Sequence, residues 1–434
     1  METIIPQAET IEHLNKIELK EIFPSSINCI ENQSQEKMEI IEDEIRKEKD
    51  NETEEIFASE INVSKNDQEN YPNYRLDKNI KEKIKLQNNT VNCICSYNNI
   101  LLIANNNELK LYDISDNFDY YGSIKIPGYD KNILCLACTE INHILYGVIG
   151  GEFSSIHVID ILSIQEITGF QLIGHKNKVY QLEFHPKNNN LLLSASKDCT
   201  VRLWNFIKPE LLVIFGGPNS FESDVLCIDW NYNGEYFVGS GVDCVVRIYK
   251  IDELIQNNIN LSMETKPIKT ILKSSPYFSC NDIHDNLIDC IKYNNKFIIS
   301  KSVDGIIKEW LPYKDINGQN LFFLINIFVF NTKQLILGIK FCFVEDNIIV
   351  GNEMGQIFLF NKKKTELSSE VCSNNFFQNN STQLINVDNK TENILIKNIN
   401  YNPLYNLFFF GGNNGEVYIY NLKKENDNND INIV

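Results

Sequence analysis

The sequence predicts an all-β chain folded as a seven-bladed β-propeller, preceded by a disordered acidic arm. Three observations lead there. The texture changes near residue 73; a unit of short alternating strands recurs from that point to residue 424; and an Asp-to-aromatic step keeps its spacing between the clearest copies.

The arm is assigned to residues 1–72. Residues 1–70 carry 19 acidic and 7 basic residues, a net of −12 out of −18 for all 434, so the remainder is close to neutral. Phe23 and Phe57 are the only large rings among those 70 residues. A segment this polar cannot bury enough surface to offset the entropy of ordering it. The stretch MEIIEDEIRKEKD (38–50) sets Met38, Ile41 and Ile45 on one helical face, yet a solvated tail is the simpler reading. Residues 425–434 form a short polar tail.

The clearest unit is LIGHKNKVYQLEFHPKNNNLLLSASKDCTVRLWNF (172–206): Gly-His, an alternating strand, a His-Pro turn, a strand ending Ser-Ala-Ser, an Asp turn, and a strand ending Trp-Asn. FESDVLCIDWNYNGEYFVGSGVDCVVRIYK (221–250) repeats it without the His, and DIHDNLIDCIKYNNKFIISKSVDGIIKEWLP (282–312) repeats it with His284. Asp198 and Trp204, Asp243 and Tyr249, and Asp304 and Trp310 stay six positions apart. Such matches indicate WD repeats. Weaker copies at 88–115, 131–162, 333–363 and 392–424 bring the number to seven. Four-stranded blades closing a ring leave no long open edge. Residues 73–84 are the candidate for the strand that completes the last blade, so the propeller is assigned to 73–424.

Several function classes fall away. No basic stripe exists to displace counterions from a phosphate backbone, which argues against direct nucleic-acid binding. The start METIIPQAETIEHLNK lacks a basic region followed by an apolar one, so the 12 cysteines are expected as reduced thiols rather than a disulfide framework. The most apolar run, LFFLINIFVF (321–330), is too short to span a membrane. Gly150-Gly151, Gly216-Gly217 and Gly411-Gly412 open no helix and lack a phosphate-loop Lys-Ser/Thr, so they read as bulges or bends and no cofactor is expected. Cys135 and Cys138, with Cys93 and Cys95 one blade earlier, sit on strands among Ile and Leu; strand geometry sends the two members of a three-residue step to opposite faces, so no metal is expected.

His175, Ser194, Asp198 and Trp204 should converge within one blade, and His284, Ser300, Asp304 and Trp310 within another. Ser, His and Asp together invite a hydrolase reading. Recurrence with the repeat period favours structural tetrads that satisfy buried polar groups, with no catalytic residue and no enzyme activity.

Between about 172 and 312 the resemblance narrows. The third-blade unit, Ile214-Phe215-Gly216-Gly217, Asp224-Val225-Leu226, and an insertion after Lys250 closing on Pro276, Phe278, Ser279, Asp282, Ile283 and His284 at the start of blade five together resemble the embryonic ectoderm development (extra sex combs) family of the Polycomb group. IISKSVDGIIKEWLP (298–312) continues the match, which covers about a third of the chain. The resemblance implies a nuclear, non-catalytic scaffold subunit of Polycomb repressive complex 2. It would bind the SET-domain histone methyltransferase on one face and a trimethyl-lysine histone H3 tail on the other, and support gene silencing. The second role needs aromatic faces for a cation that cannot donate hydrogen bonds. The corresponding pore positions fall at Asn92, Leu134 and Leu337-Gly338, none aromatic, and Lys397 stands where the family has an arginine; Tyr97 and Tyr129 are the neighbouring rings that could substitute.

The competing reading is a generic WD-repeat adaptor, such as a ubiquitin-ligase receptor or trafficking scaffold, in the cytoplasm. The lysine run Lys362-Lys363-Lys364 is too weak a basic cluster to decide localisation.

Overall fold

Near-continuous apolar runs give the middle strands two buried faces, and each face packs on a different neighbour. In the strand Asn188–Ser196, Leu191, Leu193 and Ala195 join one apolar cluster while Leu192 joins another. A sheet buried on both sides must be sandwiched between two others. Repeated around the chain, this requirement closes a ring.

The computed structural model describes residues 74–424 except 78–79, 87–89, 116, 127–129, 265, 345–346, 362–382 and 388–393. The predicted arm with its 38–50 stretch, Tyr129, Lys362-Lys363-Lys364 and the 425–434 tail lie outside the described residues.

Seven sheets are present. Their innermost strands are Val91–Tyr97, Ile133–Ile141, Val179–His185, Val225–Trp230, Ile288–Asn294, Phe341–Val344 and Ile396–Asn402, for blades 1 to 7. In blades 1 to 6 the first four strands run outward in chain order and pair antiparallel. Seven apolar clusters fill the seven seams, one between each pair of consecutive blades, the last joining blade 7 to blade 1 through Leu407, Phe409, Val417 and Ile419 against Val91, Leu101 and Ile103. LFFLINIFVF is part of Asn320–Val329, the outer strand of blade 5.

The ring is completed by two strands that precede blade 1 in the chain. Tyr74–Leu76 and Glu82–Lys85 both pair antiparallel with Glu416–Lys424, one after the other along it. Leu76 also exchanges backbone hydrogen bonds with the Gln383 side chain of blade 6, 2.9 Å from its amide and 2.8 Å from its carbonyl.

Two features differ from the sequence reading. Gly150 and Gly411 are not themselves bulges: a Cβ at Gly150 would lie 2.8 Å from Val179 Cγ1, and one at Gly411 would lie 2.6 Å from Val91 Cγ1, so glycine lets neighbouring blades approach. The insertion after Lys250 holds the helix Glu253–Met263, capped by Asp252, whose Asn258 and Ser262 are buried against blade 3. It ends in Ile271–Lys273, a parallel fifth strand on blade 3, and Phe278–Cys280 then forms the outer strand of blade 4 rather than opening blade 5. Edge strands invite unwanted pairing, and the added strand covers one.

The closing strands set a test. Leu86 is fully buried in the seam between blades 7 and 1, whereas Leu404 is 66% exposed. Leu86→Ala is expected to cost about 2–5 kcal/mol in urea unfolding and Leu404→Ala close to nothing. Equal effects would mean that the N-terminal strands do not complete the ring.

Candidate functional site

Two arrangements compete for function: the polar tetrads and the mouth of the central channel.

In blade 3, His175 Nδ1 lies 2.8 Å from Asp198 Oδ2, His175 Nε2 lies 2.6 Å from Ser194 Oγ, and Trp204 Nε1 donates to the same Oγ at 2.9 Å. The Asp turn positions the carboxylate, which also accepts from the Lys176 amide at 2.9 Å and Thr200 Oγ1 at 2.6 Å. Burial alone would raise the Asp198 pKa, but these bonds, led by His175, hold the carboxyl well below the usual range. Burial lowers the His175 pKa despite the Asp198 charge beside it. The spacing is that of a nucleophile, base and acid. Yet Ser194 is fully buried with two partners on its oxygen, so no substrate reaches it.

Blade 5 departs from this pattern. His284 Nε2 meets Ser300 Oγ at 2.8 Å and Trp310 Nε1 donates to that oxygen at 2.9 Å, but Asp304 is held by Asn286 Nδ2 at 2.9 Å and by the Ser302 hydroxyl. Asn286 and Ser302 each bond one carboxylate oxygen, so three of the four expected residues converge and Asp304 binds elsewhere. Burial, then the neighbouring Lys308 ammonium, drives the His284 pKa well below its ordinary value.

Two polar knots escaped the sequence reading because they keep neither spacing nor residue type. In blade 2, buried His157 bridges Ser155 at 2.9 Å and Glu166 at 2.6 Å. In blade 7, Tyr418 donates to Glu416 at 2.7 Å, and Glu416 pairs with Lys83 of the closing strand at 2.6 Å. The cysteines of blades 1 and 2 bring only Cys95 and Cys138 together, Sγ to Sγ 3.8 Å, and among the described residues no three His, Cys, Asp or Glu side chains form a metal-binding group.

The channel mouth is built by a repeated irregularity. In six innermost strands the ladder skips the second residue: pairing jumps from Val91 to Cys93, Ile133 to Cys135, Val179 to Gln181, Val225 to Cys227, Ile288 to Cys290, and Ile396 to Asn398. A bulge re-aims the residue it leaves unpaired. Those residues are Asn92, Leu134, Tyr180, Leu226, Asp289 and Lys397. In blade 6, Phe341 pairs with Val350, one short of Gly351, as Cys135 pairs with Gly150, one short of Gly151. By that count the seventh position is Lys340, preceded by buried Ile339.

Asn92, Leu134 and Lys397 therefore occupy equivalent places, whereas Leu337 and Gly338 precede theirs, in the loop before blade 6. That loop still reaches the mouth: the Gly338 amide donates to Asp289 Oδ2 at 2.6 Å, and a Cβ on Gly338, whose φ is +85°, would meet Lys397 Cε at 2.6 Å. Tyr97 lies at the opposite end of Val91–Tyr97 and cannot replace a mouth residue. The one ring among the seven positions is Tyr180, which the sequence alignment passed over; its hydroxyl donates to Asp224 at 3.1 Å.

The family described as "WD domain, G-beta repeat" matches residues 167–205 and 210–250. Polycomb protein esc of Drosophila virilis is 38% identical over 164 residues, 36% of this chain and 38% of that protein. The chain is a WD-repeat propeller resembling the Polycomb proteins esc and EED. The esc of Drosophila melanogaster is 35% identical over 166 residues, again 36% and 38% of the two chains, and Polycomb protein EED of Chaetomium thermophilum is 27% identical over 182 residues, 41% and 28%. The matches thus span well under half the length of these relatives. A chain from the crystal structure of the Chaetomium thermophilum polycomb repressive complex 2 superposes with a TM-score of 0.65 at 13% identity, covering 79% of this chain and 97% of that one, which shows the shared fold.

Ser194→Ala should leave His175 Nε2 and Trp204 Nε1 without partners and cost about 1–3 kcal/mol in chemical denaturation. Acidification supplies a second check. Because folded His175 and His284 titrate below the unfolded value of about 6.5, their contribution is complete above that pH and is lost as pH falls below it, when the unfolded chain takes up protons first. The melting temperature should drop between about pH 7 and about pH 5, and less steeply in the His175→Gln, His284→Gln double variant.

Proposed function

We propose that this chain is the non-catalytic WD-repeat scaffold of a Polycomb repressive complex 2-type histone H3 lysine methyltransferase, working in the nucleus to support gene silencing. The observation that carries the reading is the 38% identity over 164 residues with a Polycomb protein. The resemblance noted in the sequence falls on blade 3 and on the segment that closes blade 4 and opens blade 5, including the insertion that wraps blade 3. The scaffold offers two channel faces and a rim for partners, of which the SET-domain subunit is the first. Binding of a trimethyl-lysine histone H3 tail at the mouth is not part of the proposal: of its seven positions only one is aromatic, and Lys340 and Lys397 would repel a cation.

Affinity purification of the tagged chain from its own cells, read by mass spectrometry, is expected to recover a SET-domain methyltransferase. A clean set of partners without one would overturn the reading. The alternative, a generic WD-repeat adaptor, draws on the limited span of the match, 36% of the chain, and predicts a cullin adaptor or trafficking coat instead.

A further inference from the structure

The mouth is not electrically uniform. Asn92, Leu134, Tyr180 and Leu226 carry no charge, and the charged positions are consecutive: Asp289, Lys340 and Lys397, from blades 5, 6 and 7. A third lysine, Lys301, joins them from the second strand of blade 5. Three ammonium groups thus share one carboxylate.

That carboxylate is already committed. Lys301 Nζ lies 2.7 Å from Asp289 Oδ1, with both side chains 1% exposed, and the Gly338 amide occupies Oδ2 at 2.6 Å. Among the described residues Lys340 Nζ finds only a backbone oxygen, that of Asp289, at 2.7 Å. Lys397 Nζ has no hydrogen bond or ion pair among the described residues, although its side chain is half-buried across Gly338. Lys340 lies just before the inner strand of blade 6 and Lys397 within that of blade 7, joined by the Lys340 amide on the Lys397 carbonyl at 2.9 Å. Desolvation, then repulsion by Lys340, lowers the pKa of Lys397, with Asp289 only partly opposing. Half-buried like charges in excess of the one carboxylate beside them are costly and favour an arriving anion. Beside them the loop before blade 6 exposes two leucines, Leu335 at 66% and Leu337 at 45%.

We propose that this sector of the mouth binds an anionic side chain, a carboxylate or phosphate, carried by a peptide with apolar residues next to it. Lys340 and Lys397 supply the charge-assisted hydrogen bonds, and Leu335 and Leu337 the apolar flank. The site is independent of membership in a methyltransferase complex.

Fluorescence anisotropy with the full chain tests it. The probes are short labelled Gly/Ser peptides bearing Leu-Glu-Leu, Leu-phosphoSer-Leu, Leu-Gln-Leu or Gly-Glu-Gly at the centre. The two anionic leucine peptides are expected to bind at least about tenfold tighter than Leu-Gln-Leu, and Lys397→Met or Lys397→Gln to erase that preference. Lys340→Met should do the same. The melting temperature of the Lys397 variants should hold or rise, since a desolvated, uncompensated charge is removed; a purely structural lysine would lower it. Equal binding of the glutamate and glutamine peptides, absence of binding at the solubility limit, or a preference that survives both Lys397 variants would overturn the proposal. If Gly-Glu-Gly binds as tightly as Leu-Glu-Leu, or inorganic phosphate alone displaces both equally, the site takes a free small anion and the peptide assignment is wrong.

Discussion

Everything in this molecule depends on the apolar seams between consecutive blades. The middle strands of the blades have no wet side: Ile100, Leu102 and Ala104 of one strand pack toward blade 2 while Leu101 and Ile103 pack toward blade 7. A single blade would expose one or both of these faces, so stability arrives only when the circle is complete. The seams also explain the small residues. Gly150 and Gly411 stand where a side chain would strike the first residue of the next blade's inner strand, and glycine there permits the close approach on which continuous burial rests.

Most polar groups buried between seams are paired, although both side-chain atoms of buried Asn105 have no hydrogen-bond partner among the described residues. Blade 3 pairs them through His, Ser, Asp and Trp. Blade 4 places Ser220 2.6 Å from the Tyr249 hydroxyl and pairs Asp243 with Arg247 at 2.6 Å. Blade 2 uses a His-Glu pair and blade 7 a Tyr-Glu pair. Different residues thus solve one problem at comparable depth. A Ser-His-Asp contact in such a setting is a fastening, because its oxygen is shut away from any reactant.

Much of the fold was legible in the sequence for a physical reason: period-two alternation and the six-residue Asp-to-aromatic step are local, and blades 3, 4 and 5 keep both. The closing role of residues near 73–84 was legible from their place before the first blade, although the split into two short strands was not. The helix of the insertion left little trace, since Leu254 and Leu261 stay exposed and its buried side includes Asn258 and Ser262, which blur its apolar stripe. The mouth was the hardest part. A bulge moves one residue out of register with no signal in composition, so Tyr180 reads as an ordinary strand residue; blade 6 shows no such skip, and its inner strand begins only at Phe341, which puts the equivalent position at Lys340 rather than Leu337-Gly338. Asp304 was misplaced for a similar reason: Asn286 and Ser302 take up its oxygens, and neither belongs to the repeat pattern.

The skipped second residue of six inner strands has one more consequence. Because it takes no rung in the ladder, and in most of these blades little share of the packed interior, its identity is set by neither demand. Six such sites, with Lys340 in the equivalent place before the inner strand of blade 6, act like interchangeable keys on a fixed ring: exchanging them alters the chemical taste of the channel opening while the architecture that carries them stays as it was.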